Sequence, residues 1–243
     1  MYPDLTIRCT LVCPSKKASN HAKMIEKTQA EIPYSMLEYT AALKRPILEA
    51  WAVPAHLVAV VLDALDPFGF KPDGVELKTR AEKLTENAIV FRRTPAGVTF
   101  TVGVEKVVIV AENLDWSDAD QFMRAARAGL DAVLQKGKAD IRLQHLVLGI
   151  HIQLKTRPRQ EVTAPLLSPE TLKLLDGELK MPGVILQREK CSIVIDGSLA
   201  FANGLFVRIN REHAPIAAFE QMAEVLRNDE KQLFDLLGLE GEL

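Results

Sequence analysis

Between residues 87 and 138 the chain changes its hydrophobic period once, and that change limits the folds open to it more than any other feature. In "GVTFTVGV", Val98, Phe100, Val102 and Val104 alternate with Thr99, Thr101 and Gly103. Such alternation turns one face of a strand to a core and the other to water. "GVELKT", "NAIVFRRT" and "KVVIVAE" flank it, and Pro95, Ala96 and Gly97 supply a turn, so residues 73–112 predict a four-stranded antiparallel meander. In "DWSDADQFMRAARAGLDAVLQK" the period becomes helical, with Phe122, Ala126, Leu130 and Val133 on one stripe. That helix is expected to lie on the apolar face of the sheet. Ser117 with Asp120 resembles a capping box with Asp in place of Glu, and Gly137 is the expected stop.

The order partly recurs. "LQHLVLGIHIQLK" predicts a long strand, and "TRPRQEVTAPLLSPE" reads as a connection and the best internal boundary. After a short helix expected at 169–175, "GVILQREKCSIVIDG" and "GLFVRINRE" predict strands. "PIAAFEQMAEVLRNDEKQLFDLLG" then predicts a final helix started by Pro215 and ended by Gly238, with Ile216, Phe219, Met222, Ala223, Leu226, Leu233 and Leu237 as its stripe. The first seventy residues are harder. We expect a strand over Leu5 to Val12, a short helix from His21 to Ala30, and two short helices or a broken one in "YSMLEYTAALKRPILEAW", where Pro46 removes a backbone donor. "VPAHLVAVVLDALDPFGF" predicts a helix with Leu57, Val58, Val61, Leu62 and Leu65 as its stripe. The expected class is therefore α+β: antiparallel sheets, as hairpins and a meander, each packed by a long helix in two similar hairpin-helix halves. The expected parts are a helical section at 1–70, a first sheet-helix-strand unit at 71–155 and a second sheet-helix unit at 156–243, with one continuous domain as the alternative.

Composition excludes several classes. With 48% hydrophobic residues the chain is not of the disordered type, and a formal net charge of -2 lacks the basic excess of a duplex-binding surface. The three cysteines, Cys9, Cys13 and Cys191, are an odd number in a chain long enough to need no crosslink, which points to a reducing, cytoplasmic compartment. No secretory leader pattern is read at the N-terminus, and no apolar run approaches the roughly 20 residues of a membrane span.

The residues that could do chemistry are scattered. His145 and His151 share one strand face, but six residues at about 3.3 Å each separate them too far for one metal ion. Asp115, Asp118 and Asp120 sit at a helix start, where carboxylates cap free N–H groups, and this outweighs a magnesium site. Cys9 and Cys13 have no second pair and lack zinc or redox spacing, and Cys191 reads as a small hydrophobe in a strand. No nucleophile elbow, phosphate loop, zinc helix or dinucleotide fingerprint occurs, and Ser198 reads as part of a hairpin turn. Lys155, Arg157 and Arg159 could contact phosphate, as could Arg92 and Arg93, but no aromatic residue is interleaved with 155–159.

The segment "NAIVFRRTPAGVTFTVGVEKVVIVAENLDWSDADQFMRAARAGLDAVL", with "LQHLVLGIHIQL" as an added strand, resembles in its order of elements the SecB-like fold of export chaperones, over about a third of the chain. The resemblance implies grooves that hold unfolded clients by apolar and backbone contacts, often in oligomers. It transfers no individual contact residue. The expected function is a non-enzymatic, protein-binding accessory or regulatory protein, chaperone-like, that holds a partner at a sheet edge or apolar groove. Its partner-binding residues are expected on the face of His145, Gly149 and His151 and at Arg157 and Arg159. No catalytic residue, metal or cofactor is assigned. Nucleic acid is not favoured as a partner, no membrane contact is expected, and a homo-oligomer stays open. Two other readings remain: a subunit or inhibitor in a bacterial defence or toxin system near nucleic acid, and a hydrolase whose site is assembled from distant residues.

Overall fold

The computed structural model describes residues 6–10, 27–79, 82–94, 97–167 and 183–241. In chain order the elements are β1 (Thr6–Thr10), β2 (Thr28–Leu43), α1 (Leu48–Trp51), α2 (Pro54–Leu65), β3 (Val75–Lys78), β4 (Ala88–Arg93), β5 (Val98–Gly103) and β6 (Lys106–Glu112). They continue with α3 (Ala119–Gly137), β7 (Ile141–Leu154), α4 (Arg159–Thr163), β8 (Gly183–Arg188), β9 (Cys191–Gly197), β10 (Gly204–His213), α5 (Phe219–Leu237) and β11 (Leu239–Glu240). The class is α+β with antiparallel sheet. Contacts divide the chain into two compact units, both discontinuous. Residues 36–147 with 211–226 form a meander unit, and residues 1–35, 148–210 and 227–243 form a hairpin unit. Among the described residues no helix is long and apolar enough to cross a membrane.

In the meander unit β3, β4, β5, β6 and β2 pair antiparallel in that order. Register lines Phe91, Phe100, Ile109 and Tyr39 up across four strands, and all four are buried. The expected helix lies on this face: a Cβ built on Gly129 of α3 would stand 2.6 Å from the Phe100 ring and 3.1 Å from Leu65 of α2. Glycine at 129 is thus what lets α3 approach the sheet. The helix also ends differently from the expectation. Lys138, not Gly137, takes the left-handed cap with φ 47°, whereas Gly137 is small because a Cβ there would come within 2.5 Å of Ile47.

Three further expectations are corrected. The stretch "YSMLEYTAAL" belongs to the long strand β2 and not to a helix; Leu37, Tyr39, Ala41 and Leu43 are buried while Glu38, Thr40 and Ala42 are half-buried. Its spacing allowed both periods, and β6, paired from Met36 opposite Glu112 to Ala42 opposite Lys106, supplies the hydrogen bonds that decide for a strand. The capping box is not formed either. Asp115 instead accepts from the N–H groups of Ser117 at 2.7 Å and Asp118 at 3.2 Å, and from the Ser117 hydroxyl. These bonds, the Ser117 hydroxyl's first, hold the Asp115 carboxyl below its ordinary range. Finally, α5 starts at Phe219 and not at Pro215; Pro215 and Ile216 lie in a turn, and Ile216 is 95% exposed instead of joining the buried stripe.

In the hairpin unit β1 pairs parallel with β8, β8 and β9 form a hairpin turned by Lys190 at φ 60°, and β10, β7 and the first half of β2 follow in order. Leu186, Cys191 and Ile193 share a small cavity with Leu233 and Leu236 of α5, so α5 covers one face of these strands. Leu148, Ile150, Ile152 and Leu154 of β7 are buried as the alternation predicts, as are Leu205, Val207 and Ile209 of β10. The other face carries His151, Gln153, Phe206 and Asn210, half-buried, and Arg208, exposed. The helix expected at 169–175 and Cys13 lie outside the described residues, as do 21–26 of the expected N-terminal helix. Residues 28–30 of it are strand, and of the strand expected over Leu5 to Val12, Thr6–Thr10 is described and is β1.

Candidate functional site

Two polar constellations stand out, one in each unit. In the meander unit the core face of β7 begins with Gln144, in the same alternating series as Leu146 and fully buried. Such a group must be satisfied inside the fold. The Tyr39 hydroxyl donates to Gln144 Oε1 at 2.6 Å, and Gln144 Nε2 donates to the carbonyl of Ala214 at 2.8 Å and more weakly to that of Ala217 at 3.4 Å. The amide therefore fastens the turn ahead of α5, where Phe219 packs on the Tyr39 ring with centroids 4.9 Å apart. Burial, with a smaller push from the negative charge of Asp131, holds the Tyr39 hydroxyl well above the ordinary tyrosine range.

A pH dependence follows. Below about pH 10 tyrosine is neutral in folded and unfolded chain alike, and the contribution of Tyr39 is fully present. Above it the unfolded chain releases a proton that the native state retains, so stability falls with rising pH by up to about 1.4 kcal/mol per pH unit for this one group. Urea unfolding between pH 9 and pH 11 is expected to show an alkaline decline that Tyr39→Phe makes shallower by that share; an unchanged slope would place the Tyr39 hydroxyl in solvent.

The hairpin unit holds the more open arrangement. His151 Nδ1 lies 2.8 Å from Ser198 Oγ, and the same oxygen accepts from the backbone N–H of Ala200 at 3.1 Å and of Phe201 at 3.3 Å. With both lone pairs of the hydroxyl approached by N–H donors, its proton points at His151 Nδ1, which leaves Nε2 as the protonated nitrogen of the neutral ring. Three aromatic rings surround the imidazole: Phe206 at 5.0 Å, Tyr34 at 5.7 Å edge-on and Phe201 at 6.5 Å edge-on. All four rings are half-buried, and Leu199, in the turn that carries Ser198 and Phe201, is 102% exposed.

Asn203 fixes the neighbouring loop. Its Nδ2 donates to the carbonyls of Leu154 at 3.2 Å and Arg157 at 3.1 Å, and its Oδ1 accepts from the N–H of Arg159 at 3.0 Å. Arg157 turns back on Glu161, at 3.6 Å from its carboxylate and 3.2 Å from its carbonyl, and Lys155 pairs with Glu31 at 2.7 Å. The basic segment is thus part of a rim of mixed sign, and the Arg159 side chain has no ion pair with a described residue.

Of the residues singled out in the sequence, His151, Arg157 and Arg159 belong to this unit, together with Gly149, which is buried. His145 belongs to the meander unit, half-buried, and its side chain has no hydrogen bond, ion pair or ring contact with a described residue. Asp115 serves its own turn. Cys191 is buried, with its thiol 3.9 Å from Asp229 Oδ2. Tyr34, Phe201, Asn203 and Phe206 were not anticipated. The one local signal was the alternation of "GLFVRIN", which turns Phe206 away from the buried Leu205 and Val207.

Chemically, the arrangement presents surface and does not resemble a poised nucleophile. The lone pairs of Ser198 are engaged by backbone donors, and the ring atom that bonds it, Nδ1, is the one a carboxylate would orient in a serine-histidine-aspartate triad. In the meander unit an open cleft of about 670 Å³ is lined by Met123, Arg124, Arg127, Asp131, Phe219 and Glu220. Arg127 stands 3.8 Å from both Asp131 and Glu220, so its charge is matched across the cleft by loose, exposed pairs.

No protein-family model matches the chain, and no curated protein matches it. Among solved structures, a 3-hydroxy-3-methylglutaryl-coenzyme A reductase of Streptococcus pneumoniae aligns with 87% of this chain and 69% of its own at 9% identity and a TM-score of 0.23. A class II 3-hydroxy-3-methylglutaryl-CoA reductase from the same organism, bound to NADPH in open conformations, aligns with 87% of this chain and 62% of its own at 9% identity and a TM-score of 0.22. Scores this low describe no shared fold.

Proposed function

We propose that this chain is a non-enzymatic accessory or regulatory protein that holds a segment of a partner polypeptide on the hairpin-unit face around His151. One observation carries the reading: Tyr34, His151, Phe201 and Phe206 form a half-exposed aromatic cluster in which His151 is bonded to Ser198, and Leu199, next to Ser198 in the chain, is fully exposed. Rings held in place offer a large contact area at little entropic cost, and such residues dominate the energetic centres of protein interfaces. In the same unit Lys155 is paired with Glu31 and Arg157 with Glu161, so the basic residues of this rim alternate with acidic ones. A polyanion would be repelled by half of that rim, whereas a polypeptide with both signs of charge can match it. The Nε2–H of His151, which bonds no described residue, is a donor suited to a partner backbone carbonyl. A chaperone-like role, with extended apolar clients on these rings, is the form of this reading closest to the SecB-like resemblance. The setting we propose is the reducing cytoplasm, which suits a buried Cys191 thiol outside any disulfide.

Photocrosslinking tests the reading. Benzoylphenylalanine placed at Leu199 of the full chain, in the cells that make it, is expected to capture a defined polypeptide. The same group at the exposed Lys136 is expected to capture none, and Phe206→Ala is expected to abolish the Leu199 adduct while circular dichroism stays unchanged. Equal capture at both positions, no adduct at Leu199, or an adduct to nucleic acid in place of protein would each reject it.

A further inference from the structure

The helix α2 is apolar almost around its whole circumference: within Pro54–Leu65 only His56 and Asp63 have polar side chains. Helices of that composition in water-soluble folds are covered on all sides. One side of α2 is covered, since Leu57, Val61 and Leu65 are buried within the meander unit. The opposite side is bare. His56, Ala59, Val60 and Asp63 succeed one another at i, i+3, i+4 and i+7, the spacing of a single helix face, and all four are exposed. Ala55 continues the stripe, and just ahead of the helix Leu48 and Val53 are 50% and 48% exposed. Neither the His56 nor the Asp63 side chain has a hydrogen bond or ion pair with a described residue.

We propose that this stripe is the contact between two copies of the chain, α2 against antiparallel α2, about a two-fold axis passing between Ala59 and Val60. His56 and Asp63 lie equally far from that point along the helix. An antiparallel pair centred there therefore sets Ala59 of each copy against Val60 of the other, and His56 of each against Asp63 of the other. The face is complementary to itself in shape and in charge, which an isologous interface requires and a face for an unrelated partner does not. A parallel pair would set like charges together at both ends of the stripe. Alanine at 59 lets the helix axes approach to the 8–10 Å typical of packed helices, as rough magnitudes go. The His56 imidazole of each copy is then a hydrogen-bond donor to the Asp63 carboxylate of the other. Across the interface the ionisable groups of the two α2 stripes are these same two residues from each copy.

Sedimentation equilibrium of the full chain between about 1 and 100 µM at pH 6 is the test, with dimerisation expected within that range. Val60→Glu, which adds a charge at the two-fold axis, is expected to weaken the dimer at least tenfold, with a thermal midpoint unchanged at concentrations where both proteins are monomeric, because the side chain is exposed. His56→Asp is expected to weaken it as well, by placing carboxylate against carboxylate. The exchange His56→Asp with Asp63→Lys is expected to return the dissociation constant to within about threefold of that of the unaltered chain. A chain monomeric throughout this range overturns the proposal, as does a dimer indifferent to Val60→Glu, and an exchanged variant no tighter than His56→Asp overturns the antiparallel register. None of these outcomes bears on the aromatic face of the hairpin unit, which Leu199 crosslinking reports separately.

Discussion

Gly129→Ala is expected to destabilise the protein by about 1–3 kcal/mol, against the roughly 1 kcal/mol by which alanine outranks glycine inside a helix. The sign follows from distance. A methyl group at 129 would stand 2.6 Å from two atoms of the Phe100 ring and 3.1 Å from Leu65, and both of those side chains are fully buried. Phe100 cannot swing aside freely, since Phe91 packs edge-on against it with centroids 6.1 Å apart. Phe100→Leu alone is expected to cost stability through lost contact area, but combined with Gly129→Ala it makes room for the methyl group. The double variant should therefore be more stable than the sum of the two single changes by about 1 kcal/mol or more. Urea titration read by circular dichroism measures all four proteins. A Gly129→Ala protein more stable than the unaltered chain would mean that α3 stands further from β5 than these distances.

Gln144→Leu is expected to cost about 2–3 kcal/mol, a large value for a change of similar volume, because it strands the buried Tyr39 hydroxyl and removes a donor from two part-buried carbonyls. The Tyr39 hydroxyl loses its acceptor, the carbonyl of Ala214 keeps only the N–H of Ala217 at 3.0 Å, and that of Ala217 loses the amide. Tyr39→Phe should cost less, about 1–2 kcal/mol, since it strands only Gln144 Oε1. With both changes made, the hydroxyl and its acceptor disappear together, and the pair should be less destabilised than the sum, leaving chiefly the loss of the amide's bonds to the two carbonyls. Strict additivity, measured by chemical unfolding at neutral pH, would show that Tyr39 and Gln144 do not act as one unit. Because the amide holds the turn where α5 begins, Gln144→Leu should also speed amide hydrogen exchange at 219–222 more than elsewhere in α5.

Much of the meander unit could be read along the chain. The alternation of Val98, Phe100 and Val102 and the later helical period of Phe122, Ala126 and Leu130 each report on a face of a local element, and both elements form where that periodicity places them. The strand β2 could not be read this way. "YSMLEYTAAL" tolerates either period, and the ambiguity is resolved by hydrogen bonds to a strand some seventy residues further on. The late start of α5 has the same origin: Pro215 is a good first helical residue, but a glutamine side chain from β7 takes the carbonyls at 214 and 217. Glycine at 137 was read as a stop, yet its role is to admit Ile47, a contact that no local pattern announces.

The candidate site was still less legible. Tyr34, His151 and the two phenylalanines near 200 come from three separate stretches of chain, and each alone is an ordinary residue on the outward face of a strand or in a turn. The alternation in "LQHLVLGIHIQLK" correctly turned Leu146, Leu148, Ile150, Ile152 and Leu154 inward. It also held a clue that pointed elsewhere, since Gln144 falls in that inward series and a buried amide there requires partners of its own.

By itself, then, the sequence determined the α+β class, the one-faced meander with its covering helix and the alternation of β7, because the period of apolar residues is a property of the local chain. Only the tertiary structure decided that β2 is a strand, that Gln144 is tied to Tyr39, and that an aromatic cluster closes around His151. Each of those depends on which distant segment supplies a hydrogen bond or a ring, and side chains far apart along the chain leave no periodic trace of meeting in the fold.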